Sequence, residues 1–171
     1  MAENAWLIPL KNLGDDARAV KLGEIAELEV TPEQRTFVGD PLRMMLVALE
    51  EESRYPFVVD SDGSAVGVLT LQSGAATLSG WADDDSAWLL RGFLIDHRQQ
   101  GKGLGTLAAE AAVREAARLT AALGGGQAGV VLSVNELNPA GRTAYRKAGF
   151  EDRGQYLGGG AGPQRTMYRA F

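Results

Sequence analysis

Hydrophobic positions along the chain fall into short apolar runs and longer segments with helical spacing. The short runs predict strands at 6–10, 57–59, 66–69, 89–95, 129–134, 150–156 and 166–168. The longer segments present an apolar stripe every three to four residues and predict helices at 15–22, 41–52, 103–123 and 139–149. This order of elements predicts an α/β fold, with a mixed sheet and helices on both of its faces, in one domain over residues 1–171.

The most informative segment spans residues 88–110, where a predicted strand leads through glycines into an alanine-rich helix. Gly101, Gly103 and Gly105 stand at alternate positions in the turn. Such glycines let the backbone approach a ligand closely and turn its N–H groups in one direction. The first turn of the helix adds unpaired N–H donors and a partial positive charge. The sequence therefore predicts a cradle for a diphosphate, with Lys102 adding charge at its rim.

Two common nucleotide motifs fit this turn poorly. A Walker-type phosphate loop has Ser or Thr after its Gly-Lys pair, whereas Gly103 follows Lys102 here. The dinucleotide fingerprint has two residues between its last two glycines, where this chain has only Leu104. A glycine-rich turn that binds no ligand is the alternative that these residues leave open.

Composition excludes several classes of protein. Apolar residues make up 45% and charged residues 23% of the 171, as in a globular protein with a real core. Neither a membrane span nor a secretory signal is recognisable, so we expect a cytoplasmic protein without a membrane partner. The absence of cysteine and the single histidine argue against disulfides and a metal site. A net charge of −5 argues against nucleic acid and is compatible with a cationic small molecule.

A second group of residues follows the next apolar strand. Val134, Asn138 and Tyr145 precede the Gly149-Phe150 pair at fixed spacings. Together with the earlier Gln-x-x-Gly-x-Gly pattern at 100–105, and in this order, they resemble the two signatures of the GCN5-related N-acetyltransferases, the GNAT family. The resemblance covers roughly residues 57–150, with Gly141 where the family usually has Ala.

A shorter pattern resembles the bacterial spermine/spermidine (diamine) acetyltransferases within that family. It consists of Phe-Leu-Ile-Asp at 93–96 ahead of Gln-Gly-Lys-Gly, and of Leu28-Glu29-Val30, Glu33-Gln34 and Phe37-Val38. This second resemblance implies a polyamine as the acceptor.

The GNAT resemblance implies a mixed, mostly antiparallel sheet of about six or seven strands whose central parallel strands splay. It further implies direct transfer of an acetyl group from acetyl-CoA, the cosubstrate, to an amine, with proximity supplying much of the acceleration. The backbone of Phe93, Leu94 and Ile95 is implied to bond the pantetheine amides. The other implied coenzyme-binding residues are Gln100, Gly101, Lys102, Gly103, Leu104, Gly105, Thr106, Asn138, Arg142 and Tyr145.

Catalytic roles follow from the same resemblance. Tyr145 is implied to protonate the leaving thiolate as a general acid, and an aromatic packed under the sheet is the alternative. For Asn138 the alternative is a helix cap, which can coexist with a ligand role. Trp81 and Trp88 are candidates for lining an acceptor pocket, with core packing as the alternative.

The general base is the least determined of these assignments. Many relatives have a Glu in the central strand where this chain has Arg91, so the base is expected elsewhere. We select Glu29 as the predicted base. The alternatives are Glu24, Glu27, Asp83, Asp84, Asp85 and Glu136.

The resulting prediction is an N-acetyltransferase that modifies the primary amine of a small molecule, with a polyamine as the candidate. The alternative acceptors are a protein N-terminus or lysine, an aminoglycoside, or an amino acid. A non-catalytic acyl-CoA-binding module is the alternative of another class, which Arg91 permits. A homodimer through residues 167–171 is also expected, because GNAT proteins often dimerise through terminal strands.

Overall fold

The structure, a computed structural model, describes residues 5–171, so residues 1–4 of the predicted domain lie outside it. Its α-helices are α1 Asp15–Ala26, α2 Pro32–Phe37, α3 Pro41–Glu50, α4 Leu104–Leu123 and α5 Pro139–Lys147. Its strands are β1 Trp6–Pro9, β2 Arg54–Ser61, β3 Ser64–Gln72, β4 Trp88–Ile95, β5 Gly129–Asn135, β6 Glu151–Tyr156 and β7 Gln164–Ala170. Each predicted strand and helix is found, with shifts of a few residues at its ends.

Helix α2 is an element that the hydrophobic pattern did not predict. Thr31 Oγ1 accepts a hydrogen bond from the Gln34 N–H at 3.1 Å, and Gln34 Oε1 accepts one from the Thr31 N–H at 2.8 Å. This reciprocal pair is a capping box, and Pro32 occupies the first helical position. The local Thr-Pro-x-Gln signal was therefore available in the sequence, but six residues are too few for a clear apolar stripe.

The strands form one hydrogen-bonded sheet in the order β1-β2-β3-β4-β5-β7-β6. The pairs β1/β2, β5/β7 and β6/β7 are antiparallel. Strands β4 and β5 are parallel, and their register consists of Trp88 with Val130 and Leu89 with Val131. The predicted mixed sheet of six or seven strands is confirmed, and this short parallel register agrees with the predicted splaying of the central strands.

The described chain divides into two compact units. The first contains the described residues up to Thr70 together with Gly92–Ala108, and the second contains Leu71–Arg91 together with Ala109–Phe171. The glycine loop belongs to the first unit, whereas Asn138 and Tyr145 belong to the second.

The core of the first unit is built from side chains of α1, α3 and strands β2 to β4. Its buried members are Leu10, Ile25, Leu28, Met45, Val58, Val68 and Leu94. Burial of these apolar side chains is the main favourable term for the unit, since each contributes about 1.5–3 kcal/mol relative to exposure. Leu94 and Leu28 therefore anchor the end of β4 and the segment after α1 to one core.

Aromatic side chains pack the second unit. Trp81 stacks on Tyr168 with ring centroids 4.4 Å apart, and its indole N–H donates to Ser86 Oγ. Trp88 is 1% exposed and donates its indole N–H to Thr120 Oγ1 at 2.8 Å. Both tryptophans therefore have packing roles, which is the alternative to an acceptor pocket.

The C-terminal residues occupy an interior position in the sheet. Strand β7 pairs with β5 on one side and with β6 on the other, and Met167 is completely buried. The backbone of this strand is thus already paired on both edges, so a homodimer through residues 167–171 would have to use side chains, and it stays a prediction. Phe171, which is 48% exposed, is the part of that segment with a large exposed apolar side chain.

Candidate coenzyme and transfer site

The glycine loop joins the end of β4 to the start of α4. A short 3-10 helix, His97–Gln99, follows the strand, and the loop at 100–103 leads to Leu104, which is 2% exposed. Gly101 and Gly103 have φ angles of +79° and +81°, and a Cβ added at either would have nothing within 4 Å. Glycine is favoured there because side chains rarely adopt such angles, and the outer side of the loop is open. The loop therefore has the backbone conformation and the space that the predicted anion cradle requires.

Charge at the edge of this loop comes from Lys102. Its ammonium donates to Gln99 Oε1 at 2.9 Å, and the side chain is exposed. Gly105 and Thr106 lie in the first turn of α4 and are half-buried. Since this turn carries the positive end of the helix dipole, loop and helix together favour an anion.

At the carboxyl end of β4, the backbone carbonyl of Ile95, which was predicted to bond pantetheine, already has two hydrogen-bond donors. The Ile95 carbonyl accepts hydrogen bonds from the amides of Gln34, at 2.9 Å, and Gln100, at 3.3 Å. Leu94 and Ile95 are buried, whereas Phe93 is half-buried. Because a carbonyl oxygen has two lone pairs, the Ile95 carbonyl has little capacity left for a third donor, and the backbone contacts of Phe93 and Leu94 with pantetheine stay predictions.

Asp96 fixes the position where the strand ends. Its side chain is 3% exposed and accepts hydrogen bonds from the Glu29 N–H at 3.0 Å, the Arg98 N–H at 2.8 Å and the Arg98 guanidinium at 2.7 Å. Burial raises the pKa of this carboxyl, but those hydrogen bonds and the Arg98 charge outweigh it, so that the pKa of Asp96 lies below its usual range. Asp96 is therefore an anion at neutral pH.

Of the predicted bases, Glu29 has both its backbone N–H and its carbonyl bonded to residues just ahead of the loop. Its N–H donates to Asp96 and its carbonyl accepts the His97 N–H at 2.8 Å. Its carboxylate is 59% exposed and lies 3.7 Å from Arg98 Nε. Glu29 thus has an accessible carboxylate on a fixed backbone, and its role as base stays a prediction.

Four of the six alternative bases have carboxylates that already make other contacts. Glu24 Oε2 binds the Lys21 ammonium at 2.8 Å and the Ala65 N–H at 3.3 Å. In the second unit, Asp83 and Asp84 accept hydroxyl hydrogen bonds from Ser86 and Thr77, which lower the pKa of each carboxyl. Glu136 accepts from the Gln155 amide at 2.9 Å. These hydrogen bonds make the four carboxylates parts of their local structure.

In the second unit, Asn138 begins helix α5. Its Oδ1 accepts the Gly141 N–H at 3.0 Å, which is an N-cap, and Pro139 follows at the first helical position. A Cβ at residue 141 would lie 2.6 Å from Asn138 Nδ2. An alanine at this position would therefore require the Asn138 side chain to shift, and a coenzyme contact of Asn138 stays a prediction.

We expect Asn138→Ala to lower the free energy of unfolding by about 1 kcal/mol, because α5 loses its capping acceptor. Asn138→Asp keeps an oxygen acceptor and should stay within about 0.5 kcal/mol of the unaltered protein. Urea unfolding of the three proteins measures both values. Equal losses for the two variants would contradict the capping role.

Arg142 follows in the same helix and has a polar atom without a protein partner. Its Nε is buried and makes no hydrogen bond among the described residues, a property that it shares with Arg54 Nε. An unsatisfied buried donor costs about 1–3 kcal/mol, and an anionic ligand is one way to satisfy it. This orphaned donor fits the predicted place of Arg142 near the outer part of the coenzyme.

Tyr145 is half-buried on α5, with its ring edge-on to Phe150 at a centroid distance of 5.9 Å. Burial raises the pKa of the Tyr145 hydroxyl far above its usual range, because the phenolate is the charged form. The group is therefore protonated at neutral and moderately alkaline pH, as a proton donor must be.

Spectrophotometric titration checks this protonation directly. At about pH 11, above the ordinary tyrosine pKa of about 10, Tyr145→Phe should leave the phenolate absorbance of the folded protein unchanged. After unfolding, the same variant should lose about a quarter of the absorbance, since the chain has four tyrosines. Circular dichroism at the same pH confirms folding, and a difference between the folded proteins would refute the raised pKa.

Arg91 occupies the strand position where many relatives have Glu. Its Nη1 donates to Gln72 Oε1 at 2.8 Å, within the second unit. The residue is half-buried and, as a guanidinium, cannot accept a proton from an amine. Neither a metal-binding group of three His, Cys, Asp or Glu side chains nor a helix long and apolar enough to cross a membrane occurs within residues 5–171.

Comparison with known proteins identifies the family. A sequence profile of the acetyltransferase (GNAT) family matches residues 22–150. The chain belongs to the GNAT family. It is therefore an N-acetyltransferase that uses acetyl-CoA, as the resemblance of the two motifs implied. The uncharacterized N-acetyltransferase YbbJ of Bacillus subtilis (strain 168) is 27% identical over 151 residues, which cover 86% of this chain and 89% of YbbJ.

Solved structures confirm the GNAT fold. The aminoglycoside acetyltransferase AAC(6')-Ib in complex with coenzyme A superposes with a TM-score of 0.69 at 18% identity, covering 98% of this chain and 95% of that one. The spermidine N-acetyltransferase from Vibrio cholerae in complex with CoA and spermine gives a TM-score of 0.64 at 14% identity, covering 97% and 95%. At such identities the likeness concerns the fold alone.

Proposed function

We propose that this GNAT protein transfers the acetyl group of acetyl-CoA to a primary amine of a small molecule, with a polyamine as the acceptor. We further propose that residues 1–171 act as one catalytic domain. The observation that carries the proposal is the open glycine loop, in which Gly101 and Gly103 hold positive φ angles just before α4. This backbone suits a diphosphate, which is the most highly charged part of coenzyme A apart from its 3'-phosphate.

The coenzyme-binding residues that we propose follow the GNAT resemblance, and each is described within its own unit. In the first unit, the backbone N–H groups of residues 101–106 bind the diphosphate, Lys102 adds charge, and Phe93 bonds the pantetheine. In the second unit, Asn138 and Arg142 contribute further contacts, for which the orphaned Nε of Arg142 gives support. Gln100, Leu104, Leu94 and Ile95 were also predicted to bind the coenzyme; Gln100 donates to the Ile95 carbonyl, and the other three side chains are buried.

The proposed chemistry uses one base and one acid. Glu29 removes a proton from the substrate ammonium, which frees the nitrogen lone pair to attack the thioester carbonyl carbon. The new C–N bond forms, the C–S bond breaks, and Tyr145 gives its proton to the leaving thiolate. The raised pKa of Tyr145 keeps that proton available at neutral pH, and the product amide loses the second nitrogen proton to solvent.

A polycationic acceptor is favoured by charge. Glu27, Glu29 and Glu33 are exposed in the first unit, within a segment whose backbone is bonded to the end of β4. Three neighbouring carboxylates attract a molecule with several ammonium groups more strongly than one with a single group. Aminoglycosides also carry several ammonium groups, whereas an amino acid acceptor would bring a repelled carboxylate.

An acceptor screen tests the proposal. Purified protein and acetyl-CoA are mixed with spermine, spermidine, putrescine, kanamycin, amino acids and short peptides, and free thiol is measured over time. We expect turnover with spermine or spermidine and little with amino acids. Turnover restricted to peptides or kanamycin would replace the polyamine by that acceptor class.

The alternative of a non-catalytic acyl-CoA-binding module, which Arg91 permitted, is disfavoured by the match to the acetyltransferase family. It predicts that titration calorimetry detects acetyl-CoA binding while no amine of the panel releases thiol. Absence of binding as well, in a folded protein, would contradict both candidates.

A further inference from the structure

A pair of charged side chains in the first unit joins the end of β4 to the chain after α1. Arg98 donates through Nε and Nη2 to the two oxygens of Asp96, at 3.1 and 2.7 Å. The same Nη2 donates to the Glu27 carbonyl at 3.1 Å. We name Asp96 and Arg98 the clamp, because together they bond two chain segments that are far apart in sequence.

The segment held by the clamp has no regular structure of its own. Residues 28–30 belong to neither helix nor strand, and their positions depend on contacts with the end of β4. The Glu29 N–H donates to Asp96 Oδ2 at 3.0 Å, and its carbonyl accepts the His97 N–H at 2.8 Å. Both backbone polar groups of Glu29 are thereby fixed, while its side chain is 59% exposed.

Burial and charge distinguish the clamp from an ordinary surface ion pair. The Asp96 side chain is 3% exposed, whereas that of Arg98 is 53% exposed. A buried carboxylate with several donors holds a precise geometry. Arg98 Nε also lies 3.7 Å from the Glu29 carboxylate, so the guanidinium contacts the backbone and attracts the side chain of the same segment.

We propose that Asp96 and Arg98 are positioning residues that hold the Glu29 carboxylate at a fixed distance from the glycine loop. The inference rests on the proposed function, in which Glu29 is the base. A base acts only when its oxygen lies within reach of the substrate proton, and a misplacement of about 1 Å can cost about a hundredfold in rate. The clamp acts through Glu29 and has no direct contact with coenzyme A.

The first test removes the guanidinium while Asp96 keeps its two backbone donors, the Glu29 and Arg98 N–H groups. Arg98→Gln is expected to lower kcat for the amine about tenfold and to leave the acetyl-CoA Kd within about twofold. Hydrogen exchange of residues 27–30 should become faster in the same variant. In a Glu29→Gln background, Arg98→Gln should change kcat by less than about twofold, since the two act as one unit.

The chain supplies a matched control in the Arg35–Asp40 pair. Arg35 is 57% exposed and lies 3.3 Å from Asp40, which caps α3 just as Asp96 caps the helix at 97–99. Arg35→Gln removes a comparable ion pair from the same unit, but it should leave kcat and the exchange of residues 27–30 unchanged. A thermal melt of each variant confirms that it is folded.

The outcomes separate this inference from the proposed function. An unchanged kcat in Arg98→Gln, or a full additional loss in the Glu29→Gln background, would overturn the positioning role while the unaltered enzyme still acetylates amines. A weaker acetyl-CoA Kd that accounts for the whole loss would overturn it too. If the unaltered protein released no thiol with any amine, the proposed function would fail, and this inference with it.

Discussion

Tyr145→Phe is expected to lower kcat for amine acetylation about a hundredfold or more while acetyl-CoA binds as before. General-acid catalysis contributes about 10²- to 10⁴-fold, and phenylalanine removes only the hydroxyl that supplies the proton. The ring keeps its edge-on packing against Phe150, so α5 should hold its place. Thiol release under saturating acetyl-CoA measures kcat, and titration calorimetry measures Kd.

Tyr168→Phe is the matched control for this prediction. Tyr168 is half-buried in the same unit and its ring stacks on Trp81, a contact that phenylalanine retains. This variant should bind acetyl-CoA and turn over at the rate of the unaltered protein. Equal losses in the two variants would show that a missing phenol hydroxyl harms the fold in general, and a fully active Tyr145→Phe would exclude Tyr145 as the acid.

Gly103→Ala is expected to raise the acetyl-CoA Kd about a hundredfold. A side chain at φ +81° brings strain of about 1–2 kcal/mol, and relief of that strain turns N–H groups away from the ligand. Each hydrogen bond to a charged group contributes about 1.5–3 kcal/mol, and about 1.4 kcal/mol corresponds to a tenfold change in Kd. Titration calorimetry with acetyl-CoA measures the effect.

Gly74→Ala is the control that separates the effect of backbone strain on stability from the effect of the glycine loop on acetyl-CoA binding. Gly74 has a φ of +69°, and a Cβ there would also have nothing within 4 Å. It is exposed after β3, away from the glycine loop in sequence. We expect both variants to lose similar unfolding free energy, but only Gly103→Ala to lose affinity. An unaltered acetyl-CoA Kd in Gly103→Ala would show that the loop backbone does not bind the diphosphate.

Local chemistry of the chain was sufficient to predict the glycine loop and the cap of α5. The positive φ angles of Gly101 and Gly103 and the Asn138 cap depend on residues adjacent in sequence, and the family match at 22–150 confirms the activity that both motifs implied. The strands were equally predictable, because each buried strand appears in the sequence as a short run of apolar residues. Only the short helix α2, whose signal is a cap rather than a stripe, was missed.

Contacts between distant residues could not be predicted in the same way. Glu29 was selected from seven candidate carboxylates, and the hydrogen bond that joins its N–H to Asp96 spans 67 positions. The hydrogen bond from the Gln34 side-chain amide to the Ile95 carbonyl joins residues 61 positions apart. Packing partners such as Trp81 and Tyr168 are likewise set by how strands and helices meet.

The sequence by itself thus determined the elements, the glycine loop between β4 and α4 and the class of reaction, since each depends on residue types at short spacing. Only the tertiary structure decided that Asp96 and Arg98 hold Glu29 beside the end of β4, and that β7 lies between β5 and β6. The physical reason is that a hydrogen bond or a strand pairing requires two groups to meet in space. When the two groups are far apart along the chain, the sequence contains no periodic or local pattern that predicts their contact.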